Sequence, residues 1–109
     1  MRETITKIEE RIRNAGTLKD DARTELLGLL GQLKSQIDDL SKTHQEQAQS
    51  IAGFTDVSAH EATREEKNPK LLKQSLLGLE TSVDQLEKTH PQLVAVVNRI
   101  AATLANMGI

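Results

Sequence analysis

Cysteine, tryptophan and tyrosine are all absent from this chain of 109 residues. Without cysteine there is no disulfide framework, no thiolate zinc site and no cysteine nucleophile, and a reducing compartment is favoured. Phe54 is the only residue of the Phe, Trp and Tyr group, so the core must be built from aliphatic side chains. Recognition of bases or small molecules by aromatic stacking is therefore disfavoured.

A dominant charge and a long apolar run are lacking as well. The chain has 14 basic and 16 acidic residues, a net charge of -2, and the two signs are mixed along segments such as 7–13. This mixture makes a hydrated helix surface rather than a phosphate-binding stripe, so we expect no nucleic-acid partner. No stretch approaches the roughly 20 apolar residues of a membrane span, and no leader pattern follows Met1, so we expect no membrane partner and a cytoplasmic location.

The most informative feature that is present is a repeat. Leu30 to His44 aligns with Leu76 to His90 at an offset of 46 residues with seven identities, and both copies end in Lys-Thr-His. In both copies the apolar residues recur at spacings of three and four, which is typical of one face of an amphipathic helix. The repeat therefore predicts two similar helices that face one core.

The apolar spacing predicts an all-α fold, with helices over about 3–14, 18–52, 69–89 and 91–107. No proline interrupts the second helix, so we expect it to run unbroken past His44. The apolar period is lost over 53–68, which is predicted to be a connector. A capping box at Ser58 to Glu61 also allows a short helix through Arg64 within it. Asn68 as a helix cap and Pro69 at the first helical position then mark a restart.

Pro91 leaves two alternatives for the last two helices. Proline disfavours helical geometry at the preceding residue and predicts a stop there. The apolar phase nevertheless continues through Pro91, which favours one kinked, nearly continuous helix over two separate helices.

The expected architecture is a long antiparallel helical hairpin with a short N-terminal helix. A lone hairpin would leave part of a wide apolar stripe exposed. We therefore expect a homodimer that forms a four-helix bundle or a coiled-coil-like assembly. The residues that would need this cover are Leu27, Leu29, Val94 and Val96.

Three residues are weak candidates for a metal site. His44 and His90 each occupy a position that is otherwise aliphatic, and Glu87 precedes His90 at the spacing used in di-iron bundles. In a flush hairpin, however, His44 would lie about 12 Å from the turn and His90 about 30 Å from it, so they could not share an ion. We expect no metal and no cofactor, and histidines that cap helices or fix their register.

One apolar cluster, formed by Ile51, Phe54 and Val57, lies at the start of the predicted connector. It has two readings, a docking patch for another protein or a plug that closes one end of the bundle, and the plug is favoured because exposed apolar patches are limited in size. No paired acid and base and no nucleophile motif is found, so we expect no enzyme activity.

The C-terminal segment has a recognisable set of residues, which are His90, Pro91, Gln92, Leu93, Ile100, Leu104, Ala105, Met107, Gly108 and Ile109. This segment resembles the ending of a small bacterial family, the domain of unknown function family forty-four-oh-four. The N-terminal part, from Ile5 to Leu33, is similar to the opening of its members. The resemblance implies a small helical protein with no established activity and no catalytic residues to carry over.

Two functions remain open. The first is a non-catalytic module that binds or scaffolds another protein through an exposed helical face. The second is a regulatory bundle that binds a metal or small ligand around His90 and Glu87.

Overall fold

The computed structural model describes residues 2–107 and consists, over that range, of five α-helices joined by short turns. These helices are α1 (Arg2–Asn14), α2 (Asp20–Ser41), α3 (Gln45–Thr63), α4 (Pro69–Val83) and α5 (Pro91–Met107), and a 3-10 turn, Asp84–Leu86, extends α4. No strand occurs among the described residues, and the predicted all-α class is confirmed. Gly108 and Ile109, which belong to the C-terminal resemblance, lie outside the described residues, as does Met1.

Helices α2 to α5 run in alternating directions and pack side by side. The start of α4 at Pro69 and the end of α5 at Ala105 line one groove. The end of α2 at Asp39 and the start of α5 at Gln92 line another groove. Within residues 2–107 no helix is both long enough and apolar enough to cross a membrane.

Helix α1 packs across α2 and α3. Its acidic residue Glu9 is buried and forms an ion pair with Lys34 of α2. The turn that follows α1 is held by Arg23, whose guanidinium donates to the backbone oxygen of Ile12 at 3.2 Å and to that of Ala15 at 2.6 Å. Because helix ends leave carbonyl groups without partners, this side chain closes the end of α1.

The core is aliphatic, as the composition requires. Isoleucines from α1 and leucines from α2, α4 and α5 fill it, and the largest fully buried side chains are Ile5, Ile8, Ile12, Leu26, Leu30, Leu33, Ile37, Leu40, Ile51, Leu79, Ile100 and Leu104.

Helix α3 differs from the others because it contacts all four of them. Its buried face consists mainly of small side chains, which allow neighbouring helices to approach closely. Those residues are Ala48, Ala52, Thr55, Ser58, Ala59 and Ala62. The predicted connector over 53–68 is therefore wrong: its first part is helical and only residues 64–68 connect α3 to α4. The apolar period was weak there because alanine, serine and threonine replace the large aliphatic residues.

The predicted unbroken helix over 18–52 is also wrong. It is divided into α2 and α3 by a turn at residues 42–44. The amide of His44 donates to the oxygen of Leu40 at 2.7 Å, which closes the end of α2 without a glycine. The long two-helix hairpin is thus replaced by shorter helices that pack on one another.

Pro91 separates two helices rather than kinking one. Helix α4 ends at Val83, and α5 begins at Pro91 and packs back against α4. The apolar phase persists because both helices face the same core. The restart at Pro69 is confirmed, since the Asn68 side chain accepts a hydrogen bond from the amide of Leu71 at 3.1 Å.

Ser58 gives a test of the packing around α3. Its hydroxyl is fully buried and has no hydrogen-bond partner among the described residues. We expect Ser58→Ala to raise the free energy of unfolding by about 1 kcal/mol, because an unsatisfied buried hydroxyl is removed and alanine favours helix. Urea denaturation followed by circular dichroism measures the change.

Ser75→Ala is the matched control on α4. Ser75 is also buried, but its hydroxyl donates to the oxygen of Leu72 at 2.9 Å. We expect this variant to be no more stable than the wild type, because a formed hydrogen bond is lost. Equal gains from both variants would show that general helix propensity, rather than the unsatisfied hydroxyl, sets the effect.

Candidate functional site

The two histidines of the repeat meet at one end of the bundle. The ring centroids of His44 and His90 are 5.7 Å apart and the rings are nearly perpendicular, at 80°. Both side chains are half-buried. The expectation that the two rings are too far apart to act together is therefore wrong. It assumed one long helix through His44, whereas the chain reverses there and again before Pro91.

Both histidines are held by the same local structure. The amide of His90 donates to the oxygen of Leu86 at 2.7 Å, as the amide of His44 does to the oxygen of Leu40. The preceding threonine hydroxyl is hydrogen-bonded to Nδ1 of the ring, at 2.7 Å for Thr43 and 2.9 Å for Thr89. The repeat is thus a helix end followed by a Lys-Thr-His turn.

The histidines also open the next helices. The oxygen of His44 accepts from the amide of Ala48 at 3.0 Å, and the oxygen of His90 accepts from the amide of Val94 at 3.2 Å. Each histidine therefore joins two helices through its backbone and presents its ring to the other copy. The two copies have the same structure after the histidine, because α3 begins at Gln45 and α5 begins at Pro91, the aligned position.

The fold does not group the three candidate metal ligands. Glu87, the third candidate, is exposed. No group of three or more His, Cys, Asp or Glu side chains arranged to hold a metal occurs among residues 2–107.

The third histidine belongs to a polar cluster that joins α1 to α3. Nδ1 of His60 lies 3.2 Å from a guanidinium nitrogen of Arg11. The neighbouring Glu61 is buried and accepts from Arg64 at 2.8 Å. These contacts hold the end of α3 against α1.

The predicted apolar cluster is divided by the fold. Ile51 is fully buried, whereas Phe54 and Val57 are exposed on α3. Helix α4 contributes two more exposed side chains that the sequence interpretation missed, Leu71 and Leu77. The exposed fractions are 39% for Phe54, 49% for Val57, 42% for Leu71 and 62% for Leu77. We call Phe54, Val57 and Leu77 the α3/α4 face, whereas Leu71, six residues before Leu77, lies on a different side of α4.

Glycine shapes part of this face. A Cβ atom at Gly78 would overlap the ring of Phe54. The absence of that atom lets the only aromatic ring of the Phe, Trp and Tyr group lie against α4 while one side of it stays in solvent. This contact predicts that a larger residue at position 78 would displace the ring.

Leu77 forms a ridge between two grooves. On the side of α5, Leu77 and Leu76 help to line a groove of about 440 Å³. On the side of α3, Leu77 and Phe54 help to line a groove of about 480 Å³. Such concave apolar surfaces suit the side chains of another helix.

The fold and these surfaces define a small all-α helical protein with an apolar face on two neighbouring helices. The chain belongs to the family described as Domain of unknown function (DUF4404), whose family model matches residues 26–109. The family assignment predicted from the sequence is confirmed. No match was found among curated proteins or among solved structures.

The matched region contains both histidines and all of the α3/α4 face. It begins in α2 at Leu26, so α1 and the turn held by Arg23 precede it. The N-terminal part of the predicted resemblance, from Ile5 onward, is therefore mostly outside the matched region.

The contact between the two rings can be measured with a double-mutant cycle. We expect His44→Ala and His90→Ala each to destabilise the protein, and the double variant to lose less than the sum. The coupling should be about 0.5 kcal/mol, because edge-to-face ring pairs contribute this much beyond buried area. Urea denaturation at neutral pH provides the free energies of unfolding.

His60→Ala, combined with His44→Ala, is the control pair. His60 lies in α3 and His44 immediately precedes this helix, so the two residues are roughly 24 Å apart along its axis. Their effects should add, because separated sites rarely couple. Strict additivity for His44 and His90 as well would contradict the ring contact.

Proposed function

We propose that this protein is a non-catalytic interaction module that binds other protein chains through the α3/α4 face. The observation that carries the proposal is the grouping of exposed large aliphatic and aromatic side chains. Among the described residues, all four that are exposed lie on α3 and α4. Water makes such a grouping unfavourable unless a partner covers it.

The grooves beside Leu77 support the same function. Protein interfaces are built around apolar anchors that enter concave pockets, with polar groups at the rim. The groove toward α5 has Lys73 and Glu80 at its sides and leucines within it. This combination fits an amphipathic helix with an apolar stripe and charged flanks.

The histidines and the buried Glu9 are used in the fold itself, which supports a role without catalysis. His44 and His90 connect helices, His60 contacts Arg11, and buried Glu9 pairs with Lys34. A cytoplasmic location belongs to the same proposal and is supported by the absence of cysteine.

A regulatory metal site is the weaker alternative, and the closeness of His44 and His90 is the observation that favours it. Isothermal titration with zinc and with iron tests it. Heat that disappears in the His44→Ala and His90→Ala variants would support this alternative. If neither metal produces heat, the metal alternative is wrong.

Photo-crosslinking in living cells tests the interaction module. A photoreactive phenylalanine placed at Val57 or at Leu77 should give a discrete cross-linked product, because both positions lie on the α3/α4 face. Gln32, an exposed residue of α2, is the matched control position and should give none. The mass of the product distinguishes a second copy from another protein.

A second variant shows whether the product depends on the face. Phe54→Glu should reduce the product formed from Val57, because a charge in the apolar contact opposes binding. If neither Val57 nor Leu77 gives a product above the Gln32 level, the proposed function is wrong. Equal products from all three positions would contradict it too.

A further inference from the structure

We propose that α4 pairs antiparallel with α4 of a second copy of this chain, across a two-fold axis that passes beside Leu77. The proposal rests on the proposed interaction function and names the partner for its α4 side. Three observations carry it: the place of α4 in the repeat, the order of charges along α4, and the exposure of Leu77.

The repeat indicates where a helix is missing. In the first copy, α1 covers α2, and Lys34 of α2 pairs with Glu9 of α1. The residue aligned with Lys34 at the offset of 46 is Glu80, which lies beside the groove between α4 and α5. No described helix covers that groove.

The aligned leucines of the two copies of the repeat also differ in their exposed fraction. Leu26 and Leu30, in the first copy, are exposed by 1% and 0%, whereas the aligned Leu72 and Leu76 are exposed by 7% and 9%. Both of the latter line the uncovered groove. Together with the exposed Leu77, they give this groove an apolar surface that no described helix covers.

The charges of α4 indicate which helix fits. Its outer surface has Lys70 and Lys73 in the first half and Glu80 in the second half, followed by Asp84. This order opposes the helix dipole, which favours acidic residues at the start and basic residues at the end. The pairs of like charge at spacings of three and four repel one another as well.

None of these four charges has an ion-pair partner within residues 2–107. An antiparallel second copy would provide one for each of them. With Leu77 opposite Leu77, Lys70 lies level with Asp84 of the second copy. Lys73 lies about 1.5 Å, one residue, from the level of Glu80 of the second copy. The same arrangement recurs on both sides of the axis, as a two-fold interface requires.

The spacing on the helix supports this pairing. At 3.6 residues per turn, Lys73 and Glu80 fall on the same side of Leu77. They line the groove toward α5 together, whereas Gln74 and Thr81 line the groove toward α3. A two-fold axis perpendicular to both helices places the α5-facing side of α4 next to the α5-facing side of α4 in the second copy. Lys73 of each copy then lies beside Glu80 of the other.

Sedimentation velocity with charge-reversed variants tests the pairing. The wild type should form dimers at micromolar concentration. Lys73→Glu alone and Glu80→Lys alone should each weaken self-association by roughly tenfold or more, because like charges then meet twice in each dimer. A mixture of the two variants should associate again, since every contact between positions 73 and 80 pairs opposite charges.

Leu77→Glu and Leu71→Glu provide a matched pair on the same helix. Leu77→Glu should abolish dimers at micromolar concentration, because two carboxylates would meet at the axis. Leu71 is also exposed but lies on a different side of α4, so Leu71→Glu should dimerise like the wild type. Circular dichroism checks that both variants keep their helices.

The absence of cysteine permits a direct geometric test. Leu77→Cys should form a disulfide-linked dimer on mild oxidation, because residues at a two-fold axis are adjacent, and Leu71→Cys should not. The pairing would be overturned by a wild type that stays monomeric at concentrations well above micromolar. It would also be overturned by a Leu77→Glu variant that still dimerises, or by a mixture of the two charge-reversed variants that does not associate.

These outcomes are separate from those that test the proposed function. If the chain is monomeric but a photoreactive group at Leu77 cross-links to a different protein, the self-pairing is wrong and the interaction function stands. If no position on the α3/α4 face cross-links to any chain, both are wrong.

Discussion

The Lys-Thr-His turn is the local structure on which the rest of the bundle depends. It occurs twice, and each time the histidine amide closes the preceding helix while the histidine oxygen accepts from the next one. Because both turns lie at the same end, α2, α3, α4 and α5 can pack with alternating directions. The contact between the His44 and His90 rings then joins the two copies at that end.

The packing of α3 follows from this arrangement. A helix that contacts all four others has little room, and its buried side chains are accordingly small. The large apolar side chains of the α3/α4 face lie outside this core, on the exposed side of α3 and the adjacent side of α4. Leu77 is the most exposed of them.

The repeat has a different meaning once the fold is known. It describes two helical hairpins built on the same plan, one covered by α1 and the other left open at the groove beside Glu80. One covered copy and one open copy give a physical reason for the binding surface that is proposed on the second copy. It also explains why residues at aligned positions, such as Lys34 and Glu80, have partners in one case and lack them within the described chain in the other.

The sequence by itself determined the all-α class, the aliphatic core and the restart at Asn68 and Pro69, because periodicity and capping are local properties. It did not determine where the chain reverses. Spacings of three and four persist across His44 since both α2 and α3 face the same core, so the turn left no change of phase. Pro91 was the one local indication of a reversal. Because the two copies align, a break before Pro91 implies a break after His44 as well. Only the tertiary structure decided that the rings meet, that Ile51 is buried and that Leu77 is exposed, since each depends on which helices are neighbours.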